Sequence, residues 1–335
     1  MTTRFGRFEL LERLNFELHG VRYRALDTTA PEGARTLELL RLPLESNTEE
    51  SWLERYRQGA QLAMQLRHNN IVQVLEFGVI DGEYFLGTAA LDGKELVGVL
   101  HNVRRTQGHR GIPAPIAVSI FIDVCRALHF AHTLRGEHGE SLGMTHDALC
   151  LTHIHVLSTG EVKLGGFGTG RLPPPRTEGV MGPKVMFFSP EMIRGGALDA
   201  RSDVYVAGVV LYRLLCDQLP FMGEHESAWF DSARNDQLIP LTTRVPTMDA
   251  RLSEILQRAM RADPTARYES AEALGQALSA WLQAQTPSMS AAEIQEARRQ
   301  LLVPQPNPPQ KAEADTPARA FEKFQQALAR LPPRR

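Results

Sequence analysis

Three histidines, His146, His153 and His155, fall between positions 146 and 155, and imidazoles this close in sequence are candidate ligands for a transition metal. No cysteine or carboxylate completes a recognisable ligand spacing around them. His155 falls in a strand that follows the loop, where alternation turns it away from His153. They read as ordinary loop and strand histidines, and no metal is expected. The three cysteines, Cys125, Cys150 and Cys216, have neither paired spacing nor an even count. That predicts buried thiols in a reducing compartment, not disulfides. Glycine is the other chemical signal, because a backbone approaches a phosphate closely only where no side chain intervenes. The run LNFELHGVRYRA offers Gly20 alone, which reads as a plain hairpin turn.

The elements that would position these residues follow from local patterns. FELLERL, VRYRALD, RTLELLRL, IVQVLEFGVI and EYFLGTAAL are short apolar runs between Gly, Asp, Asn and Pro, and predict strands. Between the third and fourth, Trp52, Tyr56, Ala60 and Ala63 recur near a helical period and predict one helix. From about residue 113, PIAVSIFIDVCRALHFAHTL, RSDVYVAGVVLYRLLCDQ, ARLSEILQRAMRA and SAEALGQALSAWLQAQ predict helices. The class is α+β: a small β-rich lobe with one helix, then a larger helical lobe, joined near Leu91–Glu95. Ser290 and Glu293 form a capping-box pattern opening a further short helix over 285–302. A Pro-rich linker at 303–318 follows, and then an amphipathic helix at 319–332. Its apolar stripe, Phe321, Phe324, Leu328 and Leu331, is a candidate partner-binding face.

The chain has 335 residues, with 37 Lys and Arg against 39 Asp and Glu, a balance that argues against a basic nucleic-acid surface. No apolar run is expected to reach the length of a membrane span; the longest, around Val204–Leu215, is broken by Gly208, Tyr212 and Arg213. The N-terminus carries charge throughout and lacks the apolar region of a signal peptide, so a cytoplasmic location is expected.

Five segments, LRHNNIVQVLEFG, GEVKLGGFG, SPE, RSDVYVAGVVLYRLLCDQLPF and ADPTARY, resemble the protein-kinase family, most closely bacterial Ser/Thr kinases of eukaryotic type. The resemblance covers residues 8–284 and implies a bilobal fold, with a small lobe over 8–91 and a large lobe over 96–284. Phosphoryl transfer on that fold needs a glycine loop, a lysine held by a helix glutamate, an acceptor-orienting aspartate and two metal ligands. By alignment with the family, Asn15 and Glu17 replace the first two loop glycines, leaving Gly20. Leu40 stands at the lysine position and Gly59 at its glutamate partner. Arg41, one residue along, points to the other strand face and reads as a solvated surface residue. The family's H-R-D-x-x-x-x-N reads His146-Asp147-Ala148 and, at its last position, His153. Its D-F-G reads Gly166-Phe167-Gly168.

Positions that hold such a fold together match the family: His146, Phe167, Gly168, Asp203, Gly208 and the pair Glu191 with Arg267. Chemical positions are gone while structural ones stay. The resemblance therefore implies a catalytically inactive member, a regulator or scaffold in Ser/Thr phosphorylation signalling. Its partners would be proteins, such as an active kinase or its substrate, and it would need no cofactor. Thr88, Ala89 and Leu91, with Gly20, mark the residual cleft that metal-free adenosine could enter. Thr177, between Arg176 and Glu178, is a candidate phosphorylation position. Two alternatives remain: a divergent active kinase using ATP and Mg²⁺, with Asp147, Asp92 or Glu95 in the missing roles, or another nucleotide transferase on the same fold.

Overall fold

The computed structural model describes residues 3–17, 20–30, 33–42, 50–107, 111–169, 186–287 and 289–303. Thr177, Phe321, Phe324, Leu328 and Leu331 lie outside them, as does the linker beyond Val303.

Strands β1 (Thr3–Phe5), β2 (Phe8–Glu17), β3 (Gly20–Asp27) and β4 (Arg35–Leu42), followed after helix α1 (Glu50–Ala63) by β5 (Val74–Ile80) and β6 (Glu83–Ala89), build the small lobe. They form one antiparallel sheet in the order β1-β2-β3-β4-β6-β5. β4 explains the layering. Leu37 and Leu39 pack with Phe5, Phe8, Leu10, Ala25 and Phe85 on one face. Leu40 and Leu42 belong to the main core, with Tyr56, Ala60 and Ala63 of α1. A strand covered on both faces needs apolar residues at consecutive positions, which RTLELLRL supplies. Between β5 and β6, Asp81 (φ 51°) and Gly82 (φ 80°) make the two-residue turn with both residues left-handed that antiparallel twist favours.

β7 (Gly93–Glu95) opens the second lobe and pairs with β8 (Ile154–Leu157), which pairs with β9 (Val162–Leu164). The helices are α2 (Leu96–Gln107), α3 (Ala114–His132), α4 (Pro190–Arg194), α5 (Ala200–Cys216), α6 (Glu226–Arg234), α7 (Leu241–Arg244), α8 (Ala250–Ala259), α9 (Ala271–Gln285) and α10 (Ala291–Gln300). Helix α2 was not among the expected elements, yet its buried residues Leu96, Val99, Leu100 and Val103 have helical spacing. Small residues let the central helices close up. A Cβ at Gly275 of α9 would lie 3.1 Å from the Cys125 Cβ of α3, and one at Gly208 of α5 would lie 2.8 Å from Met260 Cγ.

One sequence expectation needs correction. Helix α3 is long and apolar enough to cross a membrane, whereas no apolar run was expected to be. Most of it is buried inside the helical lobe, so its apolar surface has a protein partner. All three cysteines are buried thiols outside any disulfide. Burial pushes the Cys125 thiol up to about 12 and the Cys216 thiol up to about 11, so both stay in the unreactive thiol form.

Candidate functional site

The loop after α3 carries the positions where acceptor and metal groups would sit. Buried Asp203, near the start of α5, organises it. One Asp203 oxygen accepts the His146 backbone N–H at 2.8 Å and lies 2.7 Å from His132 Nε2. The other accepts the Asp147 N–H at 3.4 Å. These bonds hold Asp147 in the left-handed region, at φ 59°. His146 Nδ1 accepts the Ala148 N–H at 3.3 Å, which leaves Nε2–H to donate to Gly165 O at 2.8 Å. Its ring lies 4.5 Å from that of Phe167. The histidine thus braces its own loop through Nδ1 and ties it through Nε2 to Gly165, next to the GFG turn.

His153 is 3% exposed and its Nδ1–H donates to Ala148 O at 2.8 Å. Its ring takes the space beside Gly166. A Cβ at Gly166 would stand 2.4 Å from His153 Nδ1 and 2.6 Å from Cγ, and Gly166 itself has φ +83°. Ala148, His153 and Gly166 therefore meet, but present a methyl group, an imidazole and bare backbone. Mg²⁺ requires near-octahedral oxygen ligation, so these residues do not fit the ion. Among the described residues no three His, Cys, Asp or Glu side chains gather as a metal-binding group. His155 pairs in register with Glu95 and Lys163 in its sheet.

Gly166→Asp is accordingly expected to destabilise the protein by about 1–3 kcal/mol, from overpacking and from a left-handed backbone forced on a side chain. Adding His153→Asn should recover much of the loss by removing the imidazole. Urea denaturation of the single and double variants measures both.

The upper wall of the cleft is also closely packed. Leu40 is 1% exposed and pairs with Arg22 on one side and Leu86 on the other. Gly59 of α1 lies against the GFG turn: a Cβ there would be 3.3 Å from Gly168 O, and one on Gly168 (φ +81°) would be 2.9 Å from Gly59 O. A side chain at Gly59 would press on the backbone of that turn, which would have to shift to admit it. Arg41 does point away from the cleft and stays partly exposed, but it is also engaged by neighbouring side chains. It bonds Glu83 at 2.6 and 3.0 Å and stacks over Phe5 at 4.4 Å, because β1 covers that face. A Cβ at Gly20 would sit 1.8 Å from Arg41 O, so strand packing requires this glycine whatever lies in the cleft.

Around the connector between the lobes, the Thr88 hydroxyl donates to Glu38 O at 3.4 Å, Ala89 N–H to Gln73 O at 2.9 Å, and Leu91 N–H to the Glu38 carboxylate at 3.4 Å. Asp92 accepts from the Ser158 hydroxyl at 2.6 Å, and Glu95 from the Asn15 amide at 2.6 Å. Lower in the helical lobe, Arg267 makes two bonds to Glu191, at 2.7 and 2.8 Å, and is buried. The sequence motifs containing Glu191 and Arg267, and Asp203 and His146, thus meet as expected in two bonded pairs. Glu38 was not among the expected site residues, and its signal was a charge inside a leucine run.

Residues 41–279 match the family described as protein kinase domain, a match that begins within β4 and leaves β1 to β3 outside. The chain is 34% identical over 235 residues to tyrosine-protein kinase MasK of Myxococcus xanthus, covering 69% of this chain and 36% of that protein. It is 31% identical over 231 residues to serine/threonine-protein kinase PknB of Mycobacterium leprae, covering 66% and 35%. It thus spans little more than a third of the length of these relatives. The crystal structure of the Mycobacterium tuberculosis PknI kinase domain superposes with a TM-score of 0.64 at 21% identity, covering 83% of this chain and 97% of that one, a likeness of fold.

Proposed function

This chain belongs to the protein kinase family, and on that premise we propose that it is a catalytically silent member that acts by binding proteins, as a regulator or scaffold in phosphorylation signalling. The observation that carries the reading is the His153 ring packed into the space beside Gly166. His153, which aligns with one of the family's metal ligands, is a buried side chain with its own hydrogen bond, and this supports the reading.

Phosphoryl transfer rests on electrostatic stabilisation by a cation, metal ions and a positioned carboxylate, each worth orders of magnitude in rate. Here the corresponding residues are Leu40, Gly59, Ala148, His153 and Gly166. Asp147 is one residue away from the acceptor-orienting position, and its backbone is fixed by Asp203. Displacement by even 1 Å costs heavily in a reaction that depends on alignment. What remains is a rigid helical lobe, held by Asp203, His146 and the Glu191–Arg267 pair, suited to presenting a surface. The partners we propose are proteins of the same signalling system, an active kinase or its substrate, and the site is proposed to work without nucleotide or metal.

Incubation of the purified chain with radiolabelled ATP, Mg²⁺ or Mn²⁺, and a generic protein substrate is expected to give no incorporation above a protein-free control. Incorporation that Asp147→Ala abolishes would establish a divergent kinase instead.

A further inference from the structure

We infer that the cleft between the lobes is filled and latched by the protein's own side chains, so that a purine is excluded by occupancy. Glu38 lies on β4 on the cleft-facing side, two residues before Leu40. One of its carboxylate oxygens is 3.7 Å from Arg22 Nη1 on β3, with the two side chains 9% and 11% exposed. The other accepts the Leu91 backbone N–H at 3.4 Å, and the Glu38 carbonyl accepts from Thr88. One residue therefore binds the roof of the cleft to the connector.

A planar heterocycle entering between β3 and the connector needs apolar walls and a backbone donor at its edge. Here the walls carry a guanidinium and a carboxylate, and the Leu91 donor is taken. An entering ring would have to separate two paired charges inside a poorly hydrated space, and each would lose its partner without regaining water.

The mouth is latched independently. Asn15 of β2 donates from Nδ2 to Glu95 of β7 at 2.6 Å, a direct bond between the lobes that is part-buried. At the back, Gly59 and Gly168 bring α1 onto the GFG turn. Roof, mouth and back are each closed by residues of this chain. The closed arrangement therefore needs no ligand, and whatever surface it presents is independent of nucleotide level.

The inference rests on the cleft geometry alone and stands apart from catalytic silence. Its test uses adenosine, which has no phosphate to transfer. Calorimetric titration of the wild-type chain with adenosine in metal-free buffer is expected to show no binding. The Arg22→Val/Glu38→Ala double variant, which removes both charges together, is expected to gain affinity by about tenfold or more. Equal binding by wild type and variant, or none by a variant whose melting profile shows it folded, overturns the inference. Should the variant not fold, hydrogen exchange of the wild-type chain decides. Slow exchange of the Leu91 amide without nucleotide supports the latch, and fast exchange overturns it.

Discussion

Arg267→Ala is expected to lower the thermal midpoint by on the order of 10 °C, the loss of about 3–5 kcal/mol that follows when one partner of a buried ion pair is removed. The Arg267 side chain is fully buried, and its guanidinium makes two bonds to Glu191. It also donates to the carbonyls of Arg201 and Arg261 at 2.7 Å each and to that of Ala262 at 3.2 Å, and lies over the Tyr205 ring at 4.9 Å. Truncation would strand three carbonyls and a carboxylate. Lysine cannot rescue, since one ammonium cannot make a two-pronged bond and reach the carbonyls around it. Differential scanning calorimetry should rank wild type well above both variants.

The same pair gives a pH dependence. Burial works to raise the Glu191 carboxyl, but the hydrogen bonds from Arg267 and Ser202, with the guanidinium's charge, outweigh it and hold the pKa below the ordinary carboxylate value. A carboxyl lowered on folding contributes stability that is fully present above its unfolded value and is lost as pH falls through the folded one. Acid unfolding of wild type should therefore steepen below the usual glutamate range. The Arg267→Ala chain should lack that portion of the acid limb.

Most of the fold could be read from the sequence because it is set by local spacing. The strands around Leu37–Leu42 and Glu83–Ala89 and the helices carrying Phe121 and Tyr205 announce themselves by period and punctuation. Glu191, Arg267 and Asp203 could be read because each lies in a compact motif. The identities at Leu40, Ala148 and Gly166, on which the proposal of a silent kinase rests, were also legible, being single side chains. What took their place was not. Nothing in one sequence says that His153 fills the space beside Gly166, or that Gly59 rests on Gly168, because these pairs are far apart along the chain. Arg22 and Glu38 look like the polar half of alternating strands. Only the covering of β4 on both faces shows that Glu38 is buried and so needs a partner. Arg298 likewise occupies what reads as the polar side of a short amphipathic helix.

That last residue carries the second large effect. Arg298 of α10 is 6% exposed, with Nη1 2.7 Å from Asp123, Nε 3.0 Å from the Ser119 hydroxyl and Nη2 2.5 Å from Ser119 O, all on α3. A Cβ at Gly160 would meet Gln295 O at 2.4 Å, so the β8–β9 turn lies directly on the helix. Leu301 is buried in the main core and Lys94 Nζ donates to Leu302 O at 3.2 Å, which ties the end of α10 to β7. The helix is thus part of the large lobe. Arg298→Ala is expected to cost about 3–5 kcal/mol, because Asp123, left with only its exposed partner Arg126, and both the hydroxyl and the carbonyl of Ser119 lose a buried donor at once. Asp123→Ala alone should cost less, since the guanidinium keeps its bonds to Ser119. The double variant should cost less than the sum, with a coupling of about 0.5–3 kcal/mol in a double-mutant cycle. Additive losses would show that α10 is held by Leu301 and its neighbours, with the ion pair contributing nothing specific. Because Lys94 belongs to β7, the strand that Asn15 latches through Glu95, undocking α10 should also quicken amide exchange over Gly93–Glu95 and Ile154–Leu157. Quickened exchange there with α9 unchanged would separate loss of the strap from general unfolding.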